Sequence, residues 1–306
     1  MTSSINDKAL GAMLGLAIGD AMGAPVEFRP RGKFAPVTEF RAGGPFKLQA
    51  GQWTDDTTMA LCLGQSLVDC QGMNAKDQMD KYFLWVEEGY MSCAGKAVGI
   101  GQTVLKALMN YYATKEPYQG LPDPRRSGNG CIMRLAPVPI YYHTDSRTAM
   151  LESVNSARTT HGSPQSLQCS AYFGGLIWAA FNGVDKQDLL QPFYSPCDDF
   201  QFHDLHPDVE RVLSGSYRNM ADEDLKPTGY VADALEVALW GLYHFDSYEE
   251  GLLAVVNLGG DADTTGAIYG QLAGAYYGVE GIPVSLIDGL ARCELIKTVA
   301  TNLTSQ

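Results

Sequence analysis

Two ladders of glycine, each stepping four residues at a time, are the strongest constraint this 306-residue sequence places on its fold. Gly11, Gly15, Gly19 and Gly23 form the first, and Gly266, Gly270, Gly274 and Gly278 the second. Around the first, Leu10, Met13, Leu14, Ala17, Ile18 and Ala21 recur at three- and four-residue steps, the period of an α-helix. Glycine inside a helix costs about 0.5–1 kcal/mol relative to alanine, so such ladders need a compensating gain. A strip without side chains supplies one by letting another helix backbone approach closely. Membrane helices use the same spacing, but Asp20 and the polar flanks argue against that use here. Both helices are expected deep in one core and beside each other.

Helical periodicity also marks residues 57–70, 75–87, 98–113, 146–158, 164–182, 229–244, 247–257, 264–277 and 283–300. Alternating strand patterns are scarce. Residues 28–53, 115–136 and 192–218 read as long irregular loops and hold most of the prolines. No linker, charge block or repeat array divides the chain, so residues 1–306 read as a single domain of nearly all-α class.

Charge narrows the function. With 22 Lys+Arg against 35 Asp+Glu the formal net charge is −13. That balance argues against binding along a nucleic-acid backbone, which depends on cationic side chains releasing counterions, and against an anionic membrane surface. Small anions stay open if the site carries metal ions. The seven cysteines are scattered and lack a CxxC pair, which suits reduced thiols and a cytoplasmic protein. The N-terminus lacks the pattern of a signal peptide, and no run of eighteen apolar residues predicts a membrane span.

Two acidic helix starts carry the clearest chemistry. Trp53-Thr54-Asp55-Asp56-Thr57-Thr58 precedes the apolar run MALCLGQSLV, and Asn257-Leu258-Gly259-Gly260-Asp261-Ala262-Asp263-Thr264 precedes the second ladder. Either could simply cap its helix, because carboxylates satisfy free N–H groups and the helix dipole there. Alternatively, carboxylates and hydroxyls are the oxygen ligands that Mg²⁺ or Mn²⁺ prefers. Four aspartates converging need at least one cation, and two would suit them better. The DxDxT element is also similar to the first motif of haloacid dehalogenase-like phosphatases, but only about 45 residues follow Asp261, too few for that core. Ser127-Gly128-Asn129-Gly130 reads as a backbone-rich turn able to approach a diphosphate. His203-Asp204-Leu205-His206 has no further ligands nearby in sequence and reads as an ordinary polar segment.

Taken in order, these elements resemble the ADP-ribosylglycohydrolase family. The resemblance covers Gly11–Gly15 through Gly19-Asp20-Ala21-Met22-Gly23-Ala24-Pro25-Val26-Glu27-Phe28, then Trp53–Thr57, then Ser127–Arg134 with Ala136-Pro137-Val138. It continues through Thr159-Thr160-His161 with Pro164, and Gly259–Thr264 with the helix ending Ala275–Gly278. It implies a compact orthogonal helical bundle with two divalent ions, Mg²⁺ or Mn²⁺, on Thr54, Asp55, Asp56, Asp261, Asp263 and Thr264. It further implies hydrolysis that releases ADP-ribose from a protein or small-molecule acceptor. The catalytic residues would be Glu27, Asp55 and Asp56, with Gly99, Ser127, Gly128, Asn129, Gly130 and His161 lining the substrate site. Asp20, on the glycine helix, is expected to make a structural hydrogen bond instead. A monomer is expected. An ADP-ribose-binding or toxin-neutralising immunity protein is the alternative from another class. Two positions depart from the family pattern: Gly99 stands where relatives acting on ADP-ribosyl-arginine carry an aspartate, and Ser163 where many carry a second histidine.

Overall fold

The first residue of the described chain already begins a helix. In the computed structural model, which describes residues 4–197 and 202–305, the Ser4 hydroxyl accepts from Asp7 N and the Asp7 carboxylate accepts from Ser4 N. This reciprocal cap starts α1 (Ile5–Gly23). There follow α2 (Asp55–Cys70), α3 (Ala75–Glu88), α4 (Gln102–Thr114), α5 (Pro137–Tyr141), α6 (Ser146–Arg158) and α7 (Pro164–Phe181). The remainder comprises α8 (Lys186–Leu189), α9 (Pro207–Leu213), α10 (Val231–His244), α11 (Tyr248–Val256), α12 (Ala262–Tyr277), α13 (Val284–Asp288) and α14 (Cys293–Thr304). Among the described residues the only β pairing is two isolated bridges, Gly43 with Leu48 and Gly128 with Tyr230. The chain is all-α, as its periodicity indicated.

The two glycine ladders face each other. A Cβ added to Gly11, Gly15 or Gly19 would stand 2.3, 2.3 or 2.0 Å from the carbonyl oxygen of Gly274, Gly270 or Gly266. The reverse holds for Gly266, Gly270 and Gly274 against the carbonyls of Gly19, Gly15 and Gly11, at 2.6, 2.0 and 2.0 Å. The pairing is antiparallel, and its last rung sets Gly23 against Ala262 and Asp263. Contact at this range leaves room for no side chain, and small residues gain dense backbone packing in exchange for their helix-propensity cost. Around this pair stand α2, α7, α11 and α14 on the α1 side and α7, α10 and α11 on the α12 side. One apolar cluster runs through them from Ala9 to Leu303. The segment Ile5–Val26 is long and apolar enough to cross a membrane, but 89% of its most apolar window is buried inside the protein. It is the central core helix.

Three departures from the periodicity reading have local causes. Residues 98–101 are not helical: Gly99 sits at φ +84°, and α4 begins only after the extended Gly101. The 283–300 stretch is two helices, because Arg292 adopts φ +49° and Ala291 N donates to Gly51 O at 2.9 Å. Short helices α5, α8 and α9 lie where too few residues repeat for a period to show. Side chains then tie the long loops to the core. The Asn257 amide pairs with both backbone groups of Val37 (2.7 and 2.9 Å), and Gln271 of α12 binds Ile132 O, Met133 O and Ala136 N.

The ladder predicts its own test. In an exposed helix Gly→Ala stabilises, whereas here Gly270→Ala must force the helices apart. We expect a loss of about 1–3 kcal/mol in urea unfolding, the usual range for overpacking. A stabilised variant would mean that the two backbones are not in contact.

Candidate active site

Asp55 and Asp56 open α2, where acidic residues ordinarily cap free N–H groups. Asp20 of α1 has taken that role. Its carboxylate accepts from Thr54 N (2.9 and 3.0 Å) and Thr57 N (3.0 Å), and from the hydroxyls of Thr54 (2.9 Å) and Thr57 (2.7 Å). Asp55 and Asp56 are thereby left free of capping. Asp56 Oδ2 lies 3.1 Å from the Thr54 hydroxyl, whose one hydrogen is shared with Asp20, and Asp56 Oδ1 is buried with no partner among the described residues.

The α12 start is built by a tight turn. Gly259 and Gly260 sit at φ +72° and +64°, and a Cβ on Gly260 would stand 2.2 Å from Pro227 O. This turn is stapled to the loop leaving α1: Phe28 N donates to Gly260 O (2.6 Å) and Gly260 N to Arg29 O (2.9 Å). Glu27 is thus delivered to Asp261 and Asp263. Asp261 Oδ2 accepts from the Asn129 amide at 2.6 Å, which ties the 127–130 loop to the same place. Glu27 Oε2 is buried without a partner.

Two carboxylate groupings result, one of Asp20, Asp56 and Asp263 and one of Glu27, Asp261 and Asp263. Within each, ligand oxygens lie within 4.8 Å of one another, and Asp263 belongs to both. Burial first, and Asp261 second, push Glu27 from 4.5 to about 8. Burial, reinforced by neighbouring carboxylates, holds Asp55, Asp56 and Asp263 well above their ordinary range, and burial raises Asp20 and Asp261. Without cations, so many acids cannot all ionise together. The unpartnered oxygens of Glu27 and Asp56 and the all-oxygen donor set fit divalent metal. Thr54 and Thr264 adjoin the set, the Thr264 amide donating to Asp263 Oδ1 at 2.9 Å. Asp55 belongs to neither grouping but faces the same cleft.

That cleft has a volume of about 670 Å³. Glu27, Asp55, Asp261, Asp263 and Thr264 line it together with Gly99, Gly128, Asn129, Gly130 and His161. Thr54 and Asp56 lie behind the lining. Ser127 does not line the cleft: its hydroxyl donates to Pro124 O (2.7 Å) and pairs with Ser163 Oγ at 2.9 Å as the acceptor. Ser163 caps α7 by accepting from Ser166 N. Gly99 is pressed onto Asp55: a Cβ there would stand 2.4 Å from Asp55 Oδ1. An acid at 99 would need both a strained backbone and a displaced Asp55. His161 is buried, and burial with the nearby Arg134 charge lowers it to about 3, so it is neutral. His203 and His206 join no metal-ligand grouping among the described residues; the His206 ring caps α9 instead. Sequence reasoning passed over Lys96, the one Lys or Arg lining the cleft among the described residues, and Phe46, and gave no separate role to the motif residues Phe28 and Met133 that also form its wall. A lone lysine in a glycine-rich loop carries no periodic or spacing signal.

The family model described as ADP-ribosylglycohydrolase matches residues 1–306. The chain is 35% identical over 297 residues to "ADP-ribosylarginine hydrolase Tri1" of Pseudomonas putida (strain GB-1), covering 97% of this chain and 78% of that protein. It is 32% identical to "ADP-ribosyl-[dinitrogen reductase] glycohydrolase" of Rhodospirillum rubrum, covering 94% and 91%. A solved structure titled "ADP-ribosylglycohydrolase-related protein complex" superposes with a TM-score of 0.86 at 40% identity, covering 98% of both chains.

The crowding of acids has a measurable sign. A carboxyl with a raised folded-state pKa keeps its proton where the unfolded chain has lost it, so stability falls as pH rises through that window. For Glu27 the window runs from 4.5 to about 8. Chelator-treated protein is expected to melt at a lower temperature near pH 8 than near pH 5.5, and added divalent metal to remove most of the difference. A metal-free melting temperature that climbs steadily over this range would contradict the crowding.

Proposed function

We infer the reaction from one premise: the chain belongs to the ADP-ribosylglycohydrolase family and is a hydrolase acting on glycosidic bonds. We propose that it releases ADP-ribose from an ADP-ribosylated acceptor, in a metal-dependent manner, by cleaving at the anomeric carbon of the distal ribose. The observation that carries this reading is the pair of carboxylate groupings joined through Asp263, of which Glu27, Asp261 and Asp263 line a cleft beside a glycine-rich loop.

Thr54, Asp55, Asp56, Asp261, Asp263 and Thr264 would hold two divalent ions, Mg²⁺ or Mn²⁺. Such ions orient sugar hydroxyls, polarise water and offset protein acidity beside an anionic ligand. The side chains do the rest. Glu27 has a carboxylate oxygen without a protein partner among the described residues and, with cations beside it to favour its ionised form, would take a proton from the attacking water. Asp20 stays engaged with Thr54 and Thr57 and fixes the start of α2 under Asp55 and Asp56. The backbone at Gly128 and Gly130 can approach the diphosphate because nothing projects from it, and Lys96 adds positive charge on the same cleft. His161, neutral, lines the same cleft. The seven cysteines, none disulfide-bonded, support a reducing cytoplasmic setting.

Peptides ADP-ribosylated on arginine and on serine, each incubated with and without Mg²⁺ or Mn²⁺, test the proposal. Arginine comes first because the 35%-identical relative bears that linkage in its name; the absence of an acid at Gly99 makes serine the necessary comparison. Release of ADP-ribose only with metal is expected, and no release from either peptide would overturn the reading. Asp263→Ala should abolish turnover. Glu27→Gln should lower kcat about 10²- to 10⁴-fold, the usual worth of general acid–base catalysis, with little change in ligand affinity.

A further inference from the structure

Arg134 is 0% exposed and forms no ion pair among the described residues. Its guanidinium donates to Thr160 Oγ1 at 2.7 Å, makes longer contacts to Thr159 Oγ1 (3.4 Å) and Ser156 O (3.5 Å), and lies 4.9 Å over the Tyr82 ring. Its Nε has no partner. A buried cation without a counter-charge is expensive, so its strongest contact is informative.

That contact leads to the cleft. Thr160 Oγ1 is 2.8 Å from His161 Nδ1. Arginine only donates, so it occupies a lone pair of the hydroxyl. The hydroxyl keeps one hydrogen, and His161 Nδ1 is its one acceptor among the described residues. The arrangement that gives this hydrogen an acceptor has Nδ1 accepting, which puts the ring proton on Nε2. Nε2 stands beside the glycine loop, 3.2 and 3.3 Å from where a Cβ on Gly128 or Gly130 would be, and takes no protein partner among the described residues. Both glycines and His161 line the cleft.

We propose that Thr160, held by Arg134, is a positioning residue that locks His161 as its neutral Nε2–H tautomer, so that the ring presents a hydrogen-bond donor to oxygen atoms of the ligand. What the donor meets rests on the ADP-ribose reading above; the tautomer does not. Burial and the Arg134 charge exclude the imidazolium, which agrees with a fixed neutral donor. With the opposite tautomer, a nitrogen lone pair would face an anionic, oxygen-rich ligand and repel it.

The test is ¹⁵N NMR of the histidine side chains near pH 7, with His161 assigned by its disappearance in His161→Gln, alongside calorimetric titration with ADP-ribose. The wild type should show the Nε2–H pattern. Thr160→Val, nearly isosteric, should shift it toward Nδ1–H or a mixture and weaken ADP-ribose binding about tenfold, the worth of one hydrogen bond to a charged group. Thr160→Ser should restore both. An Nδ1–H pattern in the wild type, or an unchanged pattern in Thr160→Val, overturns the proposal. If the wild type shows the Nε2–H pattern but binds no ADP-ribose, the ligand reading fails and the positioning role stands.

Discussion

Everything in this molecule hangs on the backbone contact between α1 and α12. Two helices that touch through glycine at four successive rungs have one register and one direction, because any shift would drive a neighbouring side chain into a carbonyl. The last rung, where Gly23 meets Ala262 and Asp263, sets the end of one helix against the start of the other. Asp20 and Glu27 lie on one side of that rung, and Asp261 and Asp263 on the other. The convergence of these carboxylates is thus a by-product of how the core packs. The Glu27 loop and the 127–130 loop are tied to that frame by their own hydrogen bonds.

This placement is electrostatically adverse, and the core has to offset it. Six acids meet in a largely buried volume, and each carries a pKa raised by burial. A protein selected for stability alone would replace several of them with amides or apolar groups. The adverse arrangement makes sense once cations occupy it, since the repulsion becomes affinity. Under the function proposed above, metal would neutralise the excess negative charge inside the cleft and let a chain of net charge −13 bind an anionic ligand.

Much of this was legible in the sequence, for identifiable reasons. The ladders are local and periodic, so the two central helices and their partnership could be read directly. The acidic starts of α2 and α12 are contiguous motifs, and their residues do converge. What escaped was non-local. That Asp20 caps α2 depends on a contact between residues 34 and 37 positions apart, and it is what frees Asp55 and Asp56 from the capping role. The break at Arg292 is imposed by Gly51 and by Trp53, whose indole donates to Ala291 O. Periodicity cannot register a helix interrupted by a distant strap. Ser127 fell within a motif that does reach the cleft, but its hydroxyl serves Ser163, the N-cap of α7.

The stapling of the Glu27 loop to the Gly259–Gly260 turn has a consequence for how the molecule comes into being. The groups it joins belong to opposite ends of the described chain, and Tyr248 bonds to Gly15 O across 233 residues. During synthesis, α1 leaves the ribosome with its glycine strip bare, and its partner strip follows only after all the residues between Gly23 and Ala262 have been made. Until then the acids on α1 and α2 have no counterpart, and a half-made chain cannot assemble the cage. Long-range closure of this kind is slow and leaves apolar surface exposed meanwhile. Ribosome-bound intermediates of this protein should therefore depend on chaperones up to the moment α12 emerges.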